Sequence, residues 1–467
     1  MANHKDDFRD HIATVDDEGH RIWLNPKKPS GKFYNARILF GYLLLLIMFG
    51  VPFIKLNGHP FMLFDILNRH FIIFGIPFWP QDSEIFAVGV LIFLVFIILF
   101  TAIFGRLWCG WACPQTVFME IVFRRIEYWI EGDSSKQRKL HKMPWNREKI
   151  VKKGSKHLIF FAISFLISNI FLSYFIGMDE LLKIISEPPS MHITGLSIMI
   201  LFSLVFYWIY ASFREQVCTL VCPYGRLQSV MLDKNSIVVS YDFVRGEPRT
   251  KAKNADENSG DCVDCGLCVS VCPTGIDIRN GQQLECINCT ACMDACDNVM
   301  SSIKKPTGLI RYASYTHIKE GIDKLVNGRS IGYTAFLLLL IVVFNLFMGY
   351  RTETETTILR ASGSLPQQLE NGYVRNLFTV KTINKSFEEK NIKIELISPA
   401  GSNQLVAGRI IHIEPSDLGQ TAMFVDILPE NLTGKRTQII LQITDIDNNV
   451  LETVKTNFLA PGDMKFE

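Results

Sequence analysis

The sequence predicts an α-helical integral membrane protein: five transmembrane helices, a cysteine-rich segment between the fourth and fifth, and an all-β sandwich at the C-terminal end. Three observations carry this. Five apolar runs each come close to the ~20 residues that cross ~30 Å of hydrocarbon. Eight of the twelve cysteines fall between residues 262 and 296. From about residue 351 the chain changes to short alternating apolar and polar runs separated by turn residues.

The apolar runs cover residues 38–54, 85–104, 158–176, 191–213 and 331–350, and the second contains no charge. Buried helices of a soluble protein would need a very large core to hold all five. A shorter run, FIIFGIPFWP at 71–80, is too short and too rich in Gly and Pro to span. It reads as an interfacial or re-entrant piece. Basic residues set the orientation. The polar N-terminal segment, 1–37, carries Lys27, Lys28, Lys32 and Arg37 and has no signal peptide. The 105–157 connection holds twelve Lys or Arg, whereas the other two short connections hold only Lys55, Arg69 and Lys183. The expected division is therefore a cytoplasmic segment 1–37 and a four-span membrane domain 38–213 with cytoplasmic loop 105–157. A cytoplasmic segment 214–330, the fifth helix at 331–350 and an exported domain 351–467 follow.

All twelve cysteines fall on the cytoplasmic side of this scheme, and the exported tail has none. A disulfide framework would show the reverse, so the thiols read as metal ligands or redox groups. Cys262, Cys265, Cys268 and Cys272 form C-x2-C-x2-C-x3-C-P, and Cys286, Cys289, Cys292 and Cys296 repeat the spacing. This ferredoxin-like two-cluster run, at about 255–300, predicts two [4Fe-4S] clusters, with Gly266 and Gly275 at the tight turns. The fourth cysteine of each run serves the other cluster in such units. One set is then Cys262, Cys265, Cys268 and Cys296, and the other is Cys286, Cys289, Cys292 and Cys272. A pair of zinc sites also uses C-x2-C, but rarely this repeated four-cysteine spacing.

Four cysteines remain. LWCGWACPQ places Cys109 and Cys113 after the second span, and VCTLVCPYGR places Cys218 and Cys222 after the fourth. The i, i+4 spacing puts each pair on one helix face, with each proline at a boundary. If the two spans pack together, four thiols converge at the membrane face, a site for Cu(I) or a further iron–sulfur centre. Arg106, Arg214 and Arg226 are placed to depress the thiol pKa values. The plain alternative is buried, inert cysteines.

The segments WPQDSEIF, GRLWCGWACPQTVFMEIVFRRIE, CPYGRLQSVMLD, CPTGIDIRNGQQLECINCTACMDAC, KKPTGLIRY and NGYVRNLFTVKTINKS resemble the cytochrome c oxidase accessory protein family, FixG/CcoG. The resemblance runs from about residue 21 to the end. Gly225 stands where that family often has Ala. The resemblance implies an Ig-like fold for the C-terminal β-sandwich, a bacterial inner membrane with that domain in the periplasm, and a role in assembling a cbb-type oxidase. It also implies a cupric reductase, with Cys109, Cys113, Cys218 and Cys222 copper-facing or relaying and the eight ferredoxin cysteines supplying electrons. Partners would be oxidase subunits or copper-handling proteins, an unknown electron donor and a second copy of the chain.

Other features are weaker. His192 reads as an interfacial residue or a ligand; nothing organises His59 and His70. The acids Asp256, Glu257, Asp261, Asp264, Asp277, Glu285, Asp294 and Asp297 read as a solvated face or a dock for a basic donor. The basic stretch 134–156 suits membrane lipid with anionic headgroups; a nucleic-acid role has no support. The alternative to a metal reductase is a general conduit carrying electrons between a quinol or soluble donor and a redox partner.

Overall fold

The computed structural model describes residues 13–16, 18–66, 69–251, 256, 258–322, 326–399, 402–406 and 410–462. Two compact units emerge, Met1–Asp65 with Phe86–Phe344, and Ile66–Ile85 with Asn345–Glu467. Among the described residues, five helices are long and apolar enough to cross a membrane: Lys32–Phe53, Pro80–Phe104, Arg147–Ile176, Ile193–Phe213 and Gly328–Gly349.

In the first unit the third and fourth of these helices pack along their length. Lipid is as apolar as the helices, so packing and polar contacts hold such pairs rather than the hydrophobic effect. Ser168 and Ser203, both fully buried, share a hydrogen bond of 2.6 Å. Phe171 and Phe202 stack beside them. The short helices after the second span return over this pair: Phe123 meets Phe160 edge-on at 4.9 Å and stacks on Tyr210 at 4.6 Å.

Beneath them lies a network of buried charge. Lys156 donates to Glu131 at 2.9 Å and to Glu127 at 3.3 Å, and Arg214 pairs with Glu127. Arg124 pairs with Glu120 and Glu215, and Arg21 reaches Glu215 at 2.8 Å. The 134–156 stretch is thus only partly a lipid-facing surface. Lys149 donates to the carbonyls of His141 and Met143, and Lys153 and Lys156 serve Glu131. The outward part is helix Ser134–Lys142, which buries Ser134, Gln137 and Leu140 and exposes Lys136, Arg138 and Lys139.

The second unit is built on a β-sandwich. One sheet orders Asn403–Val406, Leu418–Ile427, Val374–Asn384 and Thr354–Arg360, with Gln367–Gln368 alongside; the other orders Ile411–Ile413, Lys390–Ser398, Arg436–Asp445 and Val450–Leu459. Alternation does this: Val374, Asn376, Phe378, Val380 and Thr382 all point inward. Each fully buried apolar side chain contributes ~1.5–3 kcal/mol. The run at 71–80 is not re-entrant. His70–Ile73 and Ile76–Phe78 form an antiparallel hairpin, because Phe74 and Gly75 both take positive φ (54° and 77°), the backbone of a tight two-residue turn. Asp82, just after it, accepts from Lys385 at 2.7 Å and Arg351 at 3.1 Å, with all three largely buried.

Replacing Asp82 by Ala strands the buried Lys385 and Arg351 charges and is expected to cost about 3 kcal/mol, read as faster proteolytic release of the 351–462 region. In the first unit, burial raises the Glu127 carboxyl, but the Arg214 and Lys156 charges outweigh it and hold it at about 2, against an ordinary 4.5. Its contribution is complete above pH 4.5 and is lost as pH falls toward 2, on the order of 3 kcal/mol. Glu127→Gln is expected to be destabilised at neutral pH and to lose that acid-dependent step in thermal unfolding.

Candidate redox centre

The two four-cysteine runs fold as matched loops. Asp264 and Gly266 take positive φ (48° and 67°) in the first, and Asn288 and Thr290 take it at the same places (53° and 66°) in the second. Glycine and Asx residues accept this backbone readily; β-branched Thr290 does so under strain. Each turn starts a helix, Leu267–Ser270 or Ala291–Ser302, that carries the next cysteine. A two-stranded ribbon, Val238–Tyr241 with Ile310–Ala313, backs both loops.

The thiols sort by position. One cavity is lined by Cys268, Cys272, Cys286, Cys289 and Cys292. A second is lined by Cys262, Cys265, Cys268 and Cys296. Burial pushes Cys286 and Cys296 up to about 12 and Cys268 and Cys289 to about 11. Such thiols part with a proton only to a cation, as metal binding requires. Two buried donors beside them, Asn288 Nδ2 and Arg37 Nη2, have no acceptor among the described residues, and Arg37 acts on Cys289. Sulfide and thiolate sulfur would satisfy both, so the donor set fits [4Fe-4S] clusters.

The chain brings the other four cysteines together, though not as paired helix faces. Cys109 lies in helix Leu107–Trp111, whereas Cys113 is extended and precedes the next helix. Cys218 lies in a π-helical turn, Val217–Val221, and Cys222 is again extended. The reason is Pro114 and Pro223, which push the preceding residue out of the helical region. Cys109 and Cys218 still lie close enough to Cys113 and Cys222 for the thiols to oppose one another's charge. Arg214, at φ 51°, turns the chain from the fourth span toward Cys218.

The Cys109–Gly110 stretch sits directly on the second loop. A side chain at Gly110 would strike the Ile287 carbonyl and the Asn288 backbone, and Cys109 packs with Ile287 and Cys289. Arg37 Nε donates to the Gly110 carbonyl at 2.7 Å. Arg106 donates to the carbonyls of Leu284 and Gly225 and to Gln228 Oε1, which also accepts from Cys109 at 3.3 Å. Gly225 permits this: a Cβ there would lie 2.7 Å from the Cys218 carbonyl.

One expectation fails. The arginines do not depress the thiols; burial pushes Cys109 and Cys218 up to about 12, against the lowering effect of Arg106. Arg214 spends its charge on Glu127, and the Arg226 side chain lies outside the described residues. Several of the acids have partners within the chain. Asp261 pairs with Arg245 and Lys305, and Asp264 and Asp277 with Arg279. Asp294 caps the first span at the Phe33 and Tyr34 amides, and Asp297 accepts from Gly308. Glu257 lies outside the described residues. His192 pairs with Glu187 at 2.5 Å, and His70 packs on Trp79. His59 lies in a two-residue antiparallel ribbon. Among the described residues no three His, Cys, Asp or Glu gather tightly enough for a single metal ion.

Membrane-length helices, repeated four-cysteine loops and a β-sandwich define a membrane-bound iron–sulfur protein. Family comparison agrees: residues 213–315 match a 4Fe-4S dicluster domain, residues 86–137 a 4Fe-4S binding domain, and residues 344–461 the IG-like fold at the C-terminal of FixG. The chain is 32% identical to the nitrogen fixation protein FixG of Rhizobium meliloti, over 94% of this chain and 92% of that one. It is 33% identical to protein RdxA of Cereibacter sphaeroides, over 83% of this chain and 85% of that one. A solved FixG-related protein from Vibrio parahaemolyticus matches 23% of this chain and 97% of its own, at 20% identity and a TM-score of 0.21. The chain belongs to the FixG/CcoG family and is an iron–sulfur electron-transfer protein.

Gly110→Ala is expected to force the 107–111 helix off the 287–288 backbone. Purified protein should lose about half its iron or more, as counted by a colorimetric iron assay, while the membrane-inserted yield stays within about twofold.

Proposed function

We propose that this protein reduces Cu(II) to Cu(I) and so assists assembly of a cbb-type cytochrome c oxidase. Cys262, Cys265, Cys268 and Cys296 hold one [4Fe-4S] cluster, and Cys272, Cys286, Cys289 and Cys292 the other. When bound, the clusters supply one-electron transfer, which is the stoichiometry of Cu(II) + e⁻ → Cu(I). The observation that supports this is the seat of Gly110 against the Ile287–Asn288 backbone, with Cys109 packed on the cluster of Ile287 and Cys289 and with Cys113, Cys218 and Cys222 beside it. Thiolates are soft ligands and favour Cu(I) over harder ions. Arg106 supplies a fixed positive charge beside them, and Gln228 orients Cys109 through its side-chain oxygen. A further iron–sulfur centre at these four thiols would serve as a relay to copper.

Basic residues of the 1–37 and 105–157 segments support a cytoplasmic side for every cysteine and a periplasmic C-terminal domain. That domain docks oxidase subunits or a copper-handling protein.

The test uses the Cys109→Ser/Cys113→Ser double variant. Protein is reduced anaerobically, freed of reductant and mixed with Cu(II), and Cu(I) is read with a chromogenic chelator. The expected result is Cu(I) formation slowed at least tenfold with about eight irons retained, as two four-iron clusters require. Equal rates in both proteins would contradict the copper role. Loss of all iron would contradict the division of labour between the two cysteine groups.

A further inference from the structure

Beside the cysteine loops lies a cavity of about 730 Å³, within the ~300–1,000 Å³ of small-molecule sites. Its walls come from Arg106, the 232–243 segment, the 279–284 turn and the 315–318 helix. The rings of Phe243 and Tyr315 stack there at 5.6 Å with planes 30° apart, and Tyr315 is 48% exposed. The charge is mostly positive: Arg106, Lys234 and Arg279 against Asp233. Arg279 is already paired. Arg106, by contrast, is buried and donates only to neutral oxygens, and Lys234 has no carboxylate partner among the described residues. An aromatic, cationic cavity suits a planar anion.

Its position narrows the class. Arg106 shares Gln228 Oε1 with Cys109 and donates to the Leu284 carbonyl, two residues before Cys286, and Arg279 and Tyr241 also line the cavity of Cys262 and Cys268. Arg106, Arg279 and Tyr241 are all wall residues. An occupant is therefore one side chain from each of the three cysteine groups, a placement that matters only if the occupant carries electrons. We propose that this cavity binds a planar, phosphate-bearing redox heteroaromatic of the flavin mononucleotide class. Its ring lies against Tyr315 and Phe243, and its phosphate toward Lys234 and Arg106. The proposal rests on the chain's electron-transfer role and is independent of copper.

The full chain, purified in detergent with its iron complement, is titrated with flavin mononucleotide, and binding is followed by fluorescence quenching and equilibrium dialysis. The expected result is saturable binding of one flavin per chain. Tyr315→Ala should weaken it at least tenfold. Lys234→Gln should weaken flavin mononucleotide several-fold and riboflavin little. Neither variant should change iron content. No saturable binding by iron-replete wild type, or unchanged binding in both variants, would overturn the proposal. So would competition by ADP as strong as that of the flavin itself. The copper and flavin readings fail separately: equal copper reduction by the Cys109/Cys113 variant leaves this site standing, and absent flavin binding leaves the copper assay unaffected.

Discussion

Everything in the cysteine region depends on one close approach, the Gly110 backbone against the Ile287–Asn288 backbone. No side chain fits between them, so the segment after the second span and the second cysteine loop meet main chain to main chain. Arg37 fixes the Gly110 carbonyl from the first span, and Arg106 fixes the Leu284 carbonyl from the other side. Trp111 Nε1 donates to the Tyr312 hydroxyl, which in turn donates to the Asn288 carbonyl. Elements from residues 37 to 312 are thus tied to a single loop. The two groups of thiols are neighbours because a glycine stands between Cys109 and Cys113.

The same region is held by charges buried in pairs rather than by a large apolar core. The Arg21, Arg124, Arg214 and Lys156 cations each meet a carboxylate. Such pairs add little net stability over apolar packing, but losing one partner costs much. They therefore act as registration: Arg21 brings the N-terminal segment to Glu215, three residues before Cys218. The backbone amide of Lys27 binds the Ser270 carbonyl next to the first cysteine loop. Asp294, between Cys292 and Cys296, caps the first span.

Much of this was legible in the sequence, and the reasons are physical. Twenty apolar residues in a row have few alternatives to a membrane helix, and a repeated four-cysteine spacing has few alternatives to a cluster loop. Period-two alternation gave away the sandwich strands. What sequence missed depends on contacts far along the chain. Asp294 reads as an exposed acid because its partners, the first-span amides, are not its neighbours in sequence. Asn288 and Thr290 carry no glycine to mark their positive φ; only alignment of the two repeats, with Asp264 and Gly266 at the same places, signals them. The i, i+4 reading of C-x3-C set its proline at a helix boundary but kept the second cysteine helical, whereas the proline fixes that cysteine as extended. The Phe74–Gly75 turn was hidden inside a short apolar run whose composition suggested an interfacial or re-entrant piece.

The most direct test of the whole account is electron paramagnetic resonance of the dithionite-reduced full chain, with iron counted on the same sample. If the two cysteine sets are neighbours, with Cys268 lining both cavities, about eight irons should be present and the reduced spectrum should be broadened by spin coupling between two neighbouring clusters. Four irons or fewer, or the sharp spectrum of one isolated cluster, would contradict it.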